Sequence, residues 1–154
     1  MLAILILGSP ADRDFAAKIA AALDDFGIPH VTRIASAHKV PRYLLDMLAA
    51  YEADPQPKVY ITVAGRSNAL SGMVDASVAA PVIACPPYSD KFGGADVFSS
   101  LRTPSGVAPA VVLEPDNAAL LAAKILGVGD AALREKVLAV QEQQRQRLYA
   151  ADKV

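Results

Sequence analysis

Ser36-Ala37-His38-Lys39 brings a hydroxyl, an imidazole and an ammonium group together within four residues, and Pro41 follows at a position suited to the first turn of a helix. The free N–H groups of a helix N-terminus carry partial positive charge and disfavour cations nearby. An anion that meets both Lys39 and those N–H groups relieves the conflict, and phosphate is the natural candidate. A neutral imidazole beside it suits a general base. The same residues also fit an ordinary loop in which Ser36 and His38 satisfy backbone groups and Lys39 reaches water, and these four residues alone do not decide between the two.

Other short polar segments invite similar scrutiny. In Gly8-Ser9-Pro10-Ala11-Asp12, Ser9 reads as a helix cap and Asp12 as a charge favoured by the helix dipole. Gly65-Arg66-Ser67-Asn68 reads as a turn plus cap, with Arg66 as a surface ion-pair partner. Cys85 stands before two prolines with no adjacent base, which favours a buried packing residue over a nucleophile. His30 reads as structural. There is no GxGxxG after the first apolar run and no GxxxxGKS/T motif, so dinucleotide-binding and P-loop readings lose their usual support. One cysteine and two histidines make neither an internal disulfide nor a zinc cluster. A reducing cytoplasm is expected, with no metal.

These segments recur at the same place in a repeating pattern. Met1 to Leu7 is a continuous apolar run that lacks a basic lead-in and reaches Gly8-Ser9-Pro10 too soon for a secretory core or a membrane span, so it predicts a buried strand. Phe15, Ile19, Leu23 and Phe26 then recur at helical spacing up to Gly27. Val31 to Ile34 predicts a second strand, followed by a helix from Pro41 bearing Leu44, Leu45, Leu48 and Tyr51. Lys58 to Ala64 predicts a third strand, with a helix carrying Leu70, Met73, Val74 and Val78 up to Pro81. Val82 to Cys85 and Ala110 to Leu113 predict two more strands, separated by an irregular connection with a helical turn around Val97, Phe98 and Leu101. A helix from Asp116 runs to Gly127, and another follows Asp130.

Alternation of this kind predicts a three-layer α/β/α fold, a flavodoxin-like doubly wound parallel sheet, with a C-terminal helical extension. The expected division is an α/β domain over residues 1–128 and a C-terminal helix over 129–154, read as an oligomer contact with a solvated amphipathic helix as the alternative. In such sheets ligands bind beyond the carboxyl ends of the strands, which is where the polar segments lie. A chain of 154 residues, 53% hydrophobic, supplies one good core. With 15 basic and 16 acidic residues and no run of like charge, a nucleic-acid polymer is not an expected partner, nor is a membrane.

Taken together, Gly8-Ser9-Pro10-Ala11-Asp12, Ser36-Ala37-His38-Lys39 and Ala64-Gly65-Arg66-Ser67-Asn68-Ala69-Leu70-Ser71-Gly72-Met73 resemble the PurE family of aminoimidazole ribonucleotide carboxylases. Pro81 to Pro87, Ser99-Ser100-Leu101-Arg102, Pro104-Ser105-Gly106 and Asn117 to Ala122 extend the resemblance over most of the chain. The mutase branch of that family typically has Gly-Ala-Ala-His-Leu where this chain has Arg66-Ser67-Asn68-Ala69-Leu70. The missing His, Lys39 in place of the usual Arg, and Cys85-Pro86-Pro87 are similar to class II, which takes CO2 directly and is fused to a synthetase in animals. Ala11 departs from the pattern, since many relatives carry a second Ser there.

The resemblance implies an ATP-independent, reversible carboxylation of 5-aminoimidazole ribonucleotide by CO2, without cofactor, in a homo-octamer whose sites lie between protomers. Carried onto this sequence, His38 is the proton shuttle. Ser9 and Asp12 meet the ribose-phosphate portion, Ser36 and Lys39 the phosphate, and Gly65 and Ser67 the imidazole and CO2. Two other readings stand beside it. One is a related carboxylase acting on a pyridinium nucleotide. The other is a receiver-like signalling module, which would want an acidic phospho-acceptor where the third strand ends in Ala64-Gly65.

Overall fold

A computed structural model describes residues 1–152; the last two positions of the expected C-terminal extension lie outside the described residues. Five parallel strands, β1 (Leu2–Leu7), β2 (His30–Ile34), β3 (Lys58–Val63), β4 (Val82–Ala84) and β5 (Ala110–Val111), form one sheet in the order β2-β1-β3-β4-β5. This is the flavodoxin-like order, and it reverses direction between β1 and β3. The registers pair Leu7 with both Ile34 and Val63, so β1, β2 and β3 end level and their following loops become neighbours.

The helices are α1 (Arg13–Phe26), α2 (Pro41–Glu52), α3 (Ala69–Asp75), α4 (Phe98–Leu101), α5 (Pro115–Leu126) and α6 (Ala131–Ala151). Because side chains alternate across a strand, β1 and β3 supply two different cores. Leu5, Leu7, Ile61 and Val63 pack on one face against Ile19 and Leu23 of α1 and the alanines 118, 119, 122 and 123 of α5. Ile4, Ile6 and Tyr60 pack on the other against Leu44 and Leu48 of α2 and Leu70 and Val74 of α3. Both faces are thus covered, which explains why β1 reads as an uninterrupted apolar run.

Several boundaries move from expectation. Ser9 accepts a hydrogen bond from the Ala11 N–H at 3.2 Å, capping a 3-10 turn over Pro10–Asp12 that precedes α1. Helix α3 stops at Asp75, short of Pro81: Val78 lies beyond it, and Ala79 N–H donates to Glu52 Oε2 at 3.0 Å. The third and fourth strands each stop one residue early and the fifth two residues early, because the chain leaves the ladder for the loops.

Helix α6 is joined to the main core at its start. Leu133 and Val137 are buried in the α1/α5 layer, and Lys136 Nζ donates to the Phe26 carbonyl at 2.8 Å. From Glu142 to Asp152 every residue is exposed. No described helix is long and apolar enough to cross a membrane.

Candidate active site

The loops that follow β1, β2, β3 and β4 surround a cavity of about 590 Å³. Ser9, Asp12, Ser36, His38, Lys39, Gly65 and Ser67 all line it. It sits at the β1/β3 switch point, where crossovers leaving on opposite faces open a crevice beyond the strand ends.

The β2–α2 loop turns on backbone bonds: the Ser36 carbonyl accepts from the N–H groups of Lys39 (3.2 Å) and Val40 (2.9 Å). Pro41 opens α2, and Val40 at the cap position offers no side-chain hydrogen bond to the first turn. The side chains of Ser36, His38 and Lys39 make no hydrogen bond or ion pair within the described residues. A loop in which Ser36 and His38 merely satisfy backbone groups is therefore not what forms. One hydroxyl, one imidazole and one ammonium stand beside an uncapped helix start, a set of groups chemically able to hold an anion and to take up a proton.

In the neighbouring loop after β1, the 3-10 turn that Ser9 caps carries Asp12 at its end. Burial pushes the Asp12 carboxyl above its ordinary range, with the Ser9 backbone amide and the charge of Arg66 acting against that rise. A carboxyl raised on folding favours the native state below its folded pKa, and that contribution is lost as pH rises through the interval above the unfolded value. Asp12→Asn is accordingly expected to raise the thermal midpoint at neutral pH by about a degree, with no gain at pH 3; calorimetry at the two pH values checks this.

Gly65 owes nothing to backbone strain or tight packing, because a Cβ there would meet Pro87 O at 3.4 Å and Asp96 Oδ2 at 3.5 Å, both ordinary contacts. What glycine leaves is bare backbone on the cavity wall. The Gly65 and Ser67 N–H groups have no partner among the described residues. Gly8, in contrast, lies in closer quarters, since a Cβ there would stand 3.1 Å from Ala64 Cβ, tighter than an ordinary contact.

Three of the remaining readings of the sequence resolve clearly. His30 Nε2 lies 3.1 Å from Asp24 Oδ1, away from the cavity, which agrees with a structural role. Cys85 is fully buried, and desolvation pushes its thiol up to about 12. We expect native Cys85 to resist a thiol reagent at pH 8 and to react fully only in denaturant, as a colorimetric thiol titration would record. Arg66 departs from expectation: its guanidinium forms no salt bridge within the described residues, and it lines the cavity instead.

Sequence reasoning missed Tyr88, Ser89 and Asp96, which complete the cavity wall. They belong to the irregular connection after β4, where Gly93-Gly94 and the helical turn around Val97, Phe98 and Leu101, which forms as α4, say nothing of these three as site residues. Gly94 has φ 79°, and a Cβ on it would meet the Tyr88 ring at 2.8 Å, so only glycine lets the chain turn there against Tyr88.

The chain matches the AIR carboxylase family over residues 2–147. It is 58% identical to the phosphoribosylaminoimidazole carboxylase of Archaeoglobus fulgidus over 152 residues, covering 99% of this chain and 83% of that protein. It is 42% identical to the Mus musculus bifunctional phosphoribosylaminoimidazole carboxylase/phosphoribosylaminoimidazole succinocarboxamide synthetase, covering 88% of this chain and 33% of that protein. Its fold superposes on the crystal structure of Treponema denticola PurE with a TM-score of 0.97 at 51% identity, covering 99% of this chain and 96% of that one.

Proposed function

The chain belongs to the AIR carboxylase family, and on that premise we propose that it converts 5-aminoimidazole ribonucleotide and CO2 to the 4-carboxy nucleotide in purine biosynthesis, as a class II enzyme. The observation that carries this reading is the convergence of the Ser36, His38 and Lys39 side chains, without hydrogen bonds among the described residues, on one cavity with the bare backbone of Gly65 and Ser67.

The aminoimidazole ring is enamine-like, so C4 is nucleophilic. The C4 electron pair attacks the carbon of CO2, a C–C bond forms, and the electrons of one C=O bond move to oxygen as carboxylate. The ring is then nonaromatic with a hydrogen still on C4. His38 takes that proton and the C–H pair restores aromaticity. In reverse, protonated His38 returns the proton to C4 and CO2 departs. ATP has no step to drive in this sequence. Much of the rate comes from holding both reactants together, and the N–H groups of Gly65 and Ser67 suit the growing carboxylate charge.

The nucleotide lies with its phosphate on Ser36, Lys39 and the α2 N-terminus, and its ribose toward Ser9 and Asp12. Asp12 suits sugar hydroxyls as an acceptor. With Ala11 in the first loop, phosphate affinity rests on Ser36, Lys39 and backbone N–H groups. Likeness to the fused animal protein supports class II, as does Arg66-Ser67-Asn68 in place of the mutase His. The exposed second half of α6 supports a contact between protomers in the homo-octamer. A cytoplasmic place is part of this proposal, and the one cysteine, free and buried, accords with a reducing compartment.

The test is to supply purified protein with aminoimidazole ribonucleotide plus CO2, without ATP, and separately with the N-carboxylated nucleotide. Product from the first mixture supports the proposal. Turnover of the N-carboxylated nucleotide alone would transfer the chain to the mutase branch.

A further inference from the structure

Arg66 is the only non-glycine residue with positive φ (57°) among the described residues, and it stands between the two cavity residues with unpartnered amides. A side chain in the left-handed region persists only where its surroundings over-determine the backbone. Here the determinants come from one distant segment. The Arg66 N–H donates to Asp96 Oδ2 at 2.8 Å. Ser99 Oγ lies 2.6 Å from the Arg66 carbonyl and accepts from the Asn68 N–H at 3.0 Å.

The tie continues inward through a fully bonded polar chain. Asn68 Nδ2 donates to Ser100 Oγ at 2.9 Å, Asn68 Oδ1 accepts from Ser71 Oγ at 2.9 Å, and Ser71 meets Thr62 of β3 at 2.7 Å. Asn68, Ser71, Ser100 and Thr62 are all buried, and no buried side-chain polar atom among the described residues lacks a partner. Satisfied networks of this kind rigidify what they join. The result is an alternation along the loop: the amides of Arg66 and Asn68 are tied to residues 96 and 99, while those of Gly65 and Ser67 are left for a ligand.

We propose that Asp96 is a positioning residue for carboxylation: by fixing the Arg66 amide, it holds the Gly65 and Ser67 N–H groups in register with the carboxylate that forms on the substrate. This inference rests on the carboxylase reading above. It gives Asp96 a role that depends on accepting one hydrogen bond and does not depend on its charge. Loss of the acceptor frees Arg66 to leave the left-handed region, and small misplacements at a reacting centre are costly. Nucleotide binding is a separate matter, because the phosphate and ribose contacts belong to other loops.

Asp96→Ala and Asp96→Asn separate these possibilities. In the alanine variant kcat is expected to fall roughly tenfold or more, with the Kd for aminoimidazole ribonucleotide changed by less than about twofold. In the asparagine variant an amide oxygen accepts the same N–H, and most of the lost kcat is expected to return. Unchanged kcat in the alanine variant would overturn the proposal. So would equal damage in both variants, which would assign the effect to the carboxylate charge acting on substrate. If the parent protein does not carboxylate the nucleotide, the carboxylase reading fails separately. The brace is then decided by hydrogen exchange at the Arg66 amide: faster exchange in Asp96→Ala but not in Asp96→Asn sustains it, and equal exchange in parent and alanine variant overturns it.

Discussion

His38→Asn is expected to fold as the parent does and to lose turnover by about 10²- to 10⁴-fold, the usual contribution of a positioned acid–base group. His38 is exposed at the cavity wall and its imidazole makes no hydrogen bond or ion pair among the described residues, so its removal breaks none. Asparagine keeps a polar side chain of similar reach but cannot hold a proton in the working pH range. The loss should fall on kcat, with nucleotide Kd near that of the parent, because the proton moves only after the nucleotide is in place. Single-turnover kinetics with separately measured binding checks both halves. Near-normal turnover would remove His38 from the proton transfer.

The second large effect is expected on binding. Lys39→Ala should weaken aminoimidazole ribonucleotide by roughly 10- to 100-fold, in line with a hydrogen bond to a charged group worth about 1.5–3 kcal/mol. Exposure of Lys39 to solvent favours the lower end of that range. Comparison with the nucleoside, which lacks phosphate, isolates the contact. In the parent the nucleotide should bind much more tightly than the nucleoside, and in Lys39→Ala most of that advantage should vanish. Lys39→Arg keeps the charge and should retain most of the affinity. Titration calorimetry of both ligands against the three proteins measures these differences. An equal loss for nucleotide and nucleoside would move the phosphate away from Lys39.

The regular parts of this fold were legible because they follow from periodicity. The apolar run of β1, the Phe15-Ile19-Leu23-Phe26 stripe of α1 and Pro41 at the start of α2 each announce their element locally. Gly27 ends α1 in the left-handed region at φ 68°, as its position suggested. Once strand and helix alternate in parallel, the binding edge is fixed by topology, and the loop candidates on it come together in one cavity.

Asp96 was illegible for the opposite reason. It acts across some thirty residues of chain through single polar bonds, which leave no periodic trace. Arg66 misleads in a more instructive way. The adjacent glycine is the natural candidate for an unusual backbone, yet Gly65 has an ordinary φ and Arg66 takes the positive one. The conformation there is imposed by tertiary bonds from residues 96 and 99, against local preference. Helix α3 ends early on the same principle, as the chain beyond it is claimed by Glu52 of α2.

A crystal structure of His38→Asn bound to aminoimidazole ribonucleotide decides whether a phosphate grip stands beside a proton shuttle. The expected result has phosphate oxygens within hydrogen-bond reach, about 2.7–3.2 Å, of Lys39 Nζ, Ser36 Oγ and the α2 N-terminus. It also places the side chain at position 38 against C4 of the ring, at about 3–3.5 Å. A nucleotide with its phosphate elsewhere in the cavity would rule out the grip, and one with C4 turned away from position 38 would rule out the shuttle.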